Sequence, residues 1–157
     1  MGRSGYDHLM HIELATPGDI PALSDLLSAL FSQEAEFTPN PEAQAKGLDQ
    51  IIGNPELGAV LVAREGGKVV GMVNLLFTVS TALGEKVALL EDMVVSSHTR
   101  GAGVGSQLLD QAISFARAQG CKRITLLTDR ANEPAQRFYF KKGFVVSSMV
   151  RMRLSLA

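Results

Sequence analysis

The stretch that most restricts the fold is "EDMVVSSHTRGAGVGSQLL", residues 91–109. A β-branched run stops at Val95, a polar turn follows, and Gly101, Gly103 and Gly105 alternate before a sequence that reads as helix. This order calls for a strand–turn–helix unit, because valine-rich runs suit a pleated surface and glycines accept positive φ. Successive backbone N–H groups at a helix start make an anion site, helped by about half a positive charge from the helix dipole. Glycines remove the Cβ atoms that would hold a phosphate away, and Arg100 adds a fixed positive charge. The same glycines also suit close strand–helix packing with no ligand. Two familiar phosphate motifs do not fit. A dinucleotide fingerprint needs a third glycine where Ser106 stands and an acidic residue about 20 positions on, and no G-K-[ST] of a Walker loop exists.

The rest of the chain supplies the context. "HIELA" (11–15) alternates like a strand, and Thr16, Pro17 and Asp19 read as N-cap, first helical position and first turn of a helix carrying Ile20, Leu23, Leu26, Leu27, Leu30 and Phe31. A loop with Glu34 and Glu36 leads to Asn40-Pro41, which starts a second helix running to Ile52. Residues 59–65 and 68–80 read as a hairpin turned at Gly66-Gly67, and 86–95 as a further long strand. A helix from Val104 to Gly120, a strand over 122–128, a short helix over 132–142 and a last strand over 144–156 complete the order β-α-α-β-β-β-α-β-α-β. The hairpins make the middle antiparallel, and the helix between 86–95 and 122–128 implies a right-handed parallel crossover.

Composition narrows the function classes. At 157 residues, 46% hydrophobic and 20% charged, the chain suits one globular domain with a full core, assigned to 10–157. Residues 1–9, "MGRSGYDHL", lack periodicity and read as a disordered tail or expression remnant. No apolar run reaches the ~18 residues of a membrane span, and no signal peptide is evident, so a cytoplasmic protein is expected. One cysteine, Cys121, rules out an intrachain disulfide framework and a cysteine-based zinc site. Residues 1–85 hold 4 Lys/Arg against 11 Asp/Glu, a balance of −7, while residues 86–157 hold 11 against 5, a balance of +6. That split suits an anionic ligand at the glycine turn and a cationic partner near the acidic half. The basic half lacks a dense Lys/Arg run with interleaved aromatics, which argues against nucleic acid.

The element order and Arg100-Gly101-Ala102-Gly103-Val104-Gly105 resemble the GNAT superfamily of N-acetyltransferases, and so does "NEPAQRFYFKKGF", with Asn132, Ala135, Phe138, Tyr139, Gly143 and Phe144 at the family's N-x-x-A-x-x-F-Y-x-x-x-G-F positions. The likeness covers about Met10 to Leu156. Ser97 and Thr99 depart from the proline and aromatic common in that turn. The resemblance implies an α/β fold, a mostly antiparallel sheet with a splayed parallel strand pair that admits acetyl-CoA. It places the coenzyme's diphosphate on the amides of residues 101–106 and its pantetheine along Met93, Val94 and Val95. Asn132 suits contact with the pantetheine or the cap of its own helix, and Arg137 suits the coenzyme's phosphates or a solvated helix face. The resemblance also implies a homodimer, formed through the final strand.

Acetyl transfer to an amine poses three problems. An amine of pKa ~10.4 has roughly one part in 2500 unprotonated at pH 7, a handicap of about 4.6 kcal/mol. The carbonyl must be polarised, and the departing thiolate stabilised. Glu91 and Asp92 are candidates for the first task, or else structural ion-pair partners. Strict alternation puts them on opposite faces unless a bulge resets the phase. Adjacent acidic residues here resemble the "LED" of the spermidine/spermine branch, which implies Glu91 acting through water and Asp92 contacting substrate. A main-chain N–H near Val94 is the candidate polariser. Tyr139 matches the family tyrosine that donates to the thiolate. Glu34, Glu36, Glu91, Asp92 and the acidic N-terminal half favour a small primary amine or polyamine, with a protein N-terminus or lysine as the alternative acceptor. Cys121 is poorly placed for an acyl-enzyme, so direct attack in a ternary complex is expected, with no metal. The rival reading is a non-catalytic acyl-CoA-binding sensor, which would keep the glycine turn without needing Tyr139 or Glu91.

Overall fold

Gly66 and Gly67 both adopt positive φ, 57° and 78°, and turn strand β2 (Gly58–Glu65) back as β3 (Lys68–Ser80). Two consecutive left-handed residues match the twist of an antiparallel ribbon, which is why a glycine pair stands there. The computed structural model describes residues 10–34, 36–99 and 103–157. The tail expected at 1–9 and the turn residues Arg100, Gly101 and Ala102 lie outside them. Two compact units divide the chain, one through Leu127 and the other Thr128–Ala157.

In the first unit, β1 (Met10–Leu14), β2, β3 and β4 (Glu85–Val95) pair in sequence, all antiparallel. β5 (Ile124–Leu126) joins β4 in parallel after the crossover helix α3 (Val104–Ala118). The parallel ladder covers only Ala88–Leu90 against Ile124–Leu126, whereas β4 runs on to Val95. The expected strand over 122–128 is thus three residues long. Helices α1 (Ile20–Phe31) and α2 (Pro41–Ile52) cover one face. There Leu23, Leu27 and Leu48 pack with Val60, Val62, Met72 and Val94. The other face meets α3: Leu108 and Val104 approach Gly71 so closely that an added Cβ would lie 3.4 and 3.5 Å from them. β2 is buried on both faces for that reason, and so reads as a continuous apolar run rather than an alternating one.

Two polar ties fix α1. Gln44 of α2 is buried and donates from Nε2 to the Ser24 carbonyl (3.0 Å), with the Ser24 and Ser28 hydroxyls at 3.1 and 3.0 Å. Its Oε1 accepts from the Asn40 N–H at 2.7 Å. At the other end, Asp19 accepts from the Thr16 N–H (2.8 Å) and takes Arg64 in a two-pronged contact at 2.8 and 2.7 Å, while Arg64 Nε also reaches Glu13 at 2.6 Å. The Arg64 guanidinium and the Thr16 amide hold the Asp19 carboxyl below the usual carboxylate range against the opposing effect of its burial. Because this acid is stronger in the fold than in the unfolded chain, its contribution is complete above about pH 4 and is lost as pH falls through the lowered value. Asp19→Ala leaves a half-buried guanidinium short of its partner and is expected to cost about 2–3 kcal/mol at pH 7, read as a shift in denaturant midpoint. The deficit should shrink as pH falls below about 4.

The second unit holds α4 (Glu133–Lys141), which ends at Gly143 with φ 99°. Here the sequence expectation fails. Residues 144–157 form no strand. Alternation at Val150, Met152, Leu154 and Leu156 marks an apolar row, but these side chains are 79–95% exposed. Alternation describes a face that needs covering, and a strand exists only where a neighbour supplies the ladder.

Candidate functional site

The decisive local feature is a bulge in β4. Asp92 pairs with Asn74 and Leu90 with Leu75, so Glu91 is the extra residue on its strand. The bulge resets the side-chain phase, and Glu91 and Asp92, which strict alternation would separate, both line one cavity. Asn74 is 3% exposed and holds Asp92 from both sides: its Nδ2 donates to Asp92 Oδ2 at 2.9 Å, and its Oδ1 accepts from the Asp92 N–H at 2.7 Å. Burial pushes the Asp92 carboxyl up to about 6, with the charges of Glu91 and Glu34 adding to the rise and the Asn74 hydrogen bond opposing it. Glu91 is exposed and lines the same cavity.

The cavity measures about 260 Å³. Its strand side is Asn74, Glu91 and Asp92, and its helix side is Leu27 and Phe31 of α1 with Ala43, Gln44, Gly47, Leu48 and Ile51 of α2. No lysine or arginine is among these residues. Glu34 and Glu36 are not in the wall, although Glu34 is near enough for its charge to act on Asp92.

Gly103 caps α3 with φ 78° and ψ 9°, and no side-chain hydrogen bond fills that end. α2 and α4 differ: Asn40 accepts from the Ala43 N–H (3.2 Å) and Asn132 from the Ala135 N–H (3.1 Å). The first intrahelical bond of α3 runs from the Gln107 N–H to the Gly103 carbonyl at 3.1 Å. The amides of Val104, Gly105 and Ser106 therefore have no partner within the helix. Met93 and Val95 sit on β4 opposite Val73 and Gly71.

In the second unit, Asn132 is the cap of α4, and Arg137 makes a long exposed contact of 3.9 Å with Glu133. Tyr139 packs edge-on against Phe138 and Phe144, with ring centroids 5.2 and 5.6 Å away, and burial pushes its phenol above its ordinary value. In the first unit, burial raises the Cys121 thiol, which weakens it as a nucleophile.

Sequence reasoning missed Asn74 and Gly47. Each had a signal: Asn74 is a lone amide inside "VVGMVNLLF", and buried amides need partners, while Gly47 interrupts an otherwise helix-forming segment.

Comparison with known proteins agrees with this architecture. Residues 20–144 match the acetyltransferase (GNAT) family. The chain is 30% identical over 137 residues to the uncharacterised N-acetyltransferase YhfO of Bacillus subtilis (86% of this chain, 89% of that one). It is 28% identical over 130 residues to the aminoalkylphosphonate N-acetyltransferase of Salmonella typhimurium (83% and 81%). Among solved structures, an integron cassette protein from the mobile metagenome of Cole Harbour Salt Marsh superposes with a TM-score of 0.80 at 26% identity, over 93% of this chain and 90% of that one. The chain belongs to the GNAT family of acetyltransferases and is an N-acetyltransferase.

Proposed function

We propose that the chain moves an acetyl group from acetyl-CoA to a primary amine by direct attack in a ternary complex. The observation that carries this reading is the glycine-capped start of α3. The starts of α2 and α4 each have an amide answered by an asparagine side chain, and the glycine-capped start of α3 has none. Helix-start amides with a dipole behind them suit a diphosphate. The amides of Val104, Gly105 and Ser106, with the neighbouring Arg100, Gly101 and Ala102, hold the coenzyme's diphosphate. The β4 backbone at Met93–Val95 carries its pantetheine arm, and an N–H near Val94 polarises the acetyl carbonyl. Bound acetyl-CoA supplies the activated acyl group.

Asp92 and Glu91 together relieve the amine of its proton. A base poised near neutrality is the more effective one, so Asp92 does most of this work and Glu91 attracts the incoming ammonium and relays through water. The amine nitrogen forms the new C–N bond, the C–S bond breaks, and the Tyr139 phenol donates a hydrogen bond to the thiolate. Asn132 and Arg137 assist at the coenzyme, and no metal takes part. The apolar row at residues 150–156 supports a homodimer, which sedimentation at micromolar concentration checks, and a cytoplasmic location belongs to the same proposal. No helix among the described residues is long and apolar enough to cross a membrane.

The test is thiol release from acetyl-CoA across an amine panel. Release that depends on amine and saturates is the expected result. Coenzyme binding without amine-dependent release would favour a sensor instead.

A further inference from the structure

Gly47 sits inside α2, where glycine is less favourable than alanine. It lines the cavity, and nothing lies within 4 Å of the Cβ it lacks. No turn, positive φ or close backbone approach explains a glycine there. What its missing side chain leaves is room, in the wall of the cavity that Leu27, Phe31, Ile51, Glu91 and Asp92 also line.

We propose that Gly47 sets the size of the acceptor, and that the acceptor is a single amine on a compact apolar body. This rests on the acetyl-transfer reading of the same site. The carboxylates lie on the strand side only. The sole polar group of the helix side, Gln44, is engaged with Ser24, Ser28 and Asn40. A second ammonium directed at the helix side, as in a polyamine, would lie against apolar side chains with no carboxylate among the residues of that side. A phosphonate or phosphate would meet two carboxylates and no cation among the lining residues. Burying a charge without a partner is costly, so both classes are disfavoured. The wall thus departs from what the aminoalkylphosphonate-acting relative's name would suggest for this chain.

The experiment measures kcat/KM for 2-phenylethylamine, ethylamine, spermidine and aminomethylphosphonate in the wild type, Gly47→Ala and Gly47→Leu, with melting temperature and acetyl-CoA affinity recorded for each. The wild type is expected to favour 2-phenylethylamine over spermidine and aminomethylphosphonate by about tenfold or more. The ratio of 2-phenylethylamine to ethylamine should fall stepwise from glycine to alanine to leucine, by about tenfold overall, through KM rather than kcat. Gly47→Ala should melt higher than the wild type, because the added methyl meets open space. Two results would overturn the inference: an unchanged ratio in folded variants that still bind acetyl-CoA, or a preference for spermidine or the phosphonate. Absence of thiol release with every amine in the wild type would sink the acetyl-transfer reading itself, and this inference with it.

Discussion

Asp92→Asn is expected to lower kcat/KM for amine acetylation by about 10²–10³-fold while making the protein more stable at pH 7. The two effects share one cause. Burial raises the Asp92 carboxyl to about 6, so the folded chain holds an ionised group that it would rather keep protonated. The sign follows from linkage. An acid weaker in the fold than in the unfolded chain burdens the fold fully above about pH 6, and the burden lifts as pH falls from 6 towards 4. A shift from 3.8 to about 6 corresponds to at most about 3 kcal/mol. Asparagine keeps the shape without the charge, and about 1–2 kcal/mol of this should reappear as a higher denaturant midpoint. Loss of activity together with a gain in stability separates a functional carboxylate from a structural ion pair, whose removal would destabilise. The wild-type kcat/KM should rise with pH through an inflection near 6. In Asn74→Leu the inflection should move upward, because the amide that favours the charged form is gone.

Tyr139→Phe is expected to reduce kcat by about 10–10²-fold and leave acetyl-CoA affinity within about twofold. A phenol of ordinary pKa ~10 facing a thiolate of ~8.5 already makes complete proton transfer uphill by about 2 kcal/mol. Burial raises the Tyr139 phenol further, so the uphill step grows. Hydrogen-bond donation is the role that remains. The pH profile of kcat should accordingly show no falling limb below about pH 10. A limb near pH 8–9 that disappears in the phenylalanine variant would show formal acid catalysis and contradict this assignment.

Much of the architecture was legible because it is written in local chemistry. The glycine pair at 66–67, the Thr16–Asp19 start of the first helix, the Asn40 and Asn132 caps and the glycine-capped α3 all appear where turn and cap preferences place them. The bulge at Glu91 was not legible. "LLEDMVV" alternates equally well in either phase, and only the pairing with Asn74 and Leu75 on β3 decides it. That one irregularity turned two carboxylates on opposite faces into two carboxylates at one cavity. Asn74 was missed because its importance lies in a partner 18 residues away. The last strand was over-read for the converse reason: the alternation at Val150–Leu156 is present in the sequence, but its covering partner is not a property of that segment.

The central claim is that the start of α3 and the bulged part of β4 form one coenzyme track leading to the carboxylate cavity. Titrating labelled protein with acetyl-CoA while following backbone amide resonances tests it most directly. Saturable one-to-one binding, with the largest shifts at Gly103–Ser106 and Glu91–Val95, is the result the account predicts. Saturation with those amides unmoved, or no binding at millimolar coenzyme, would contradict it.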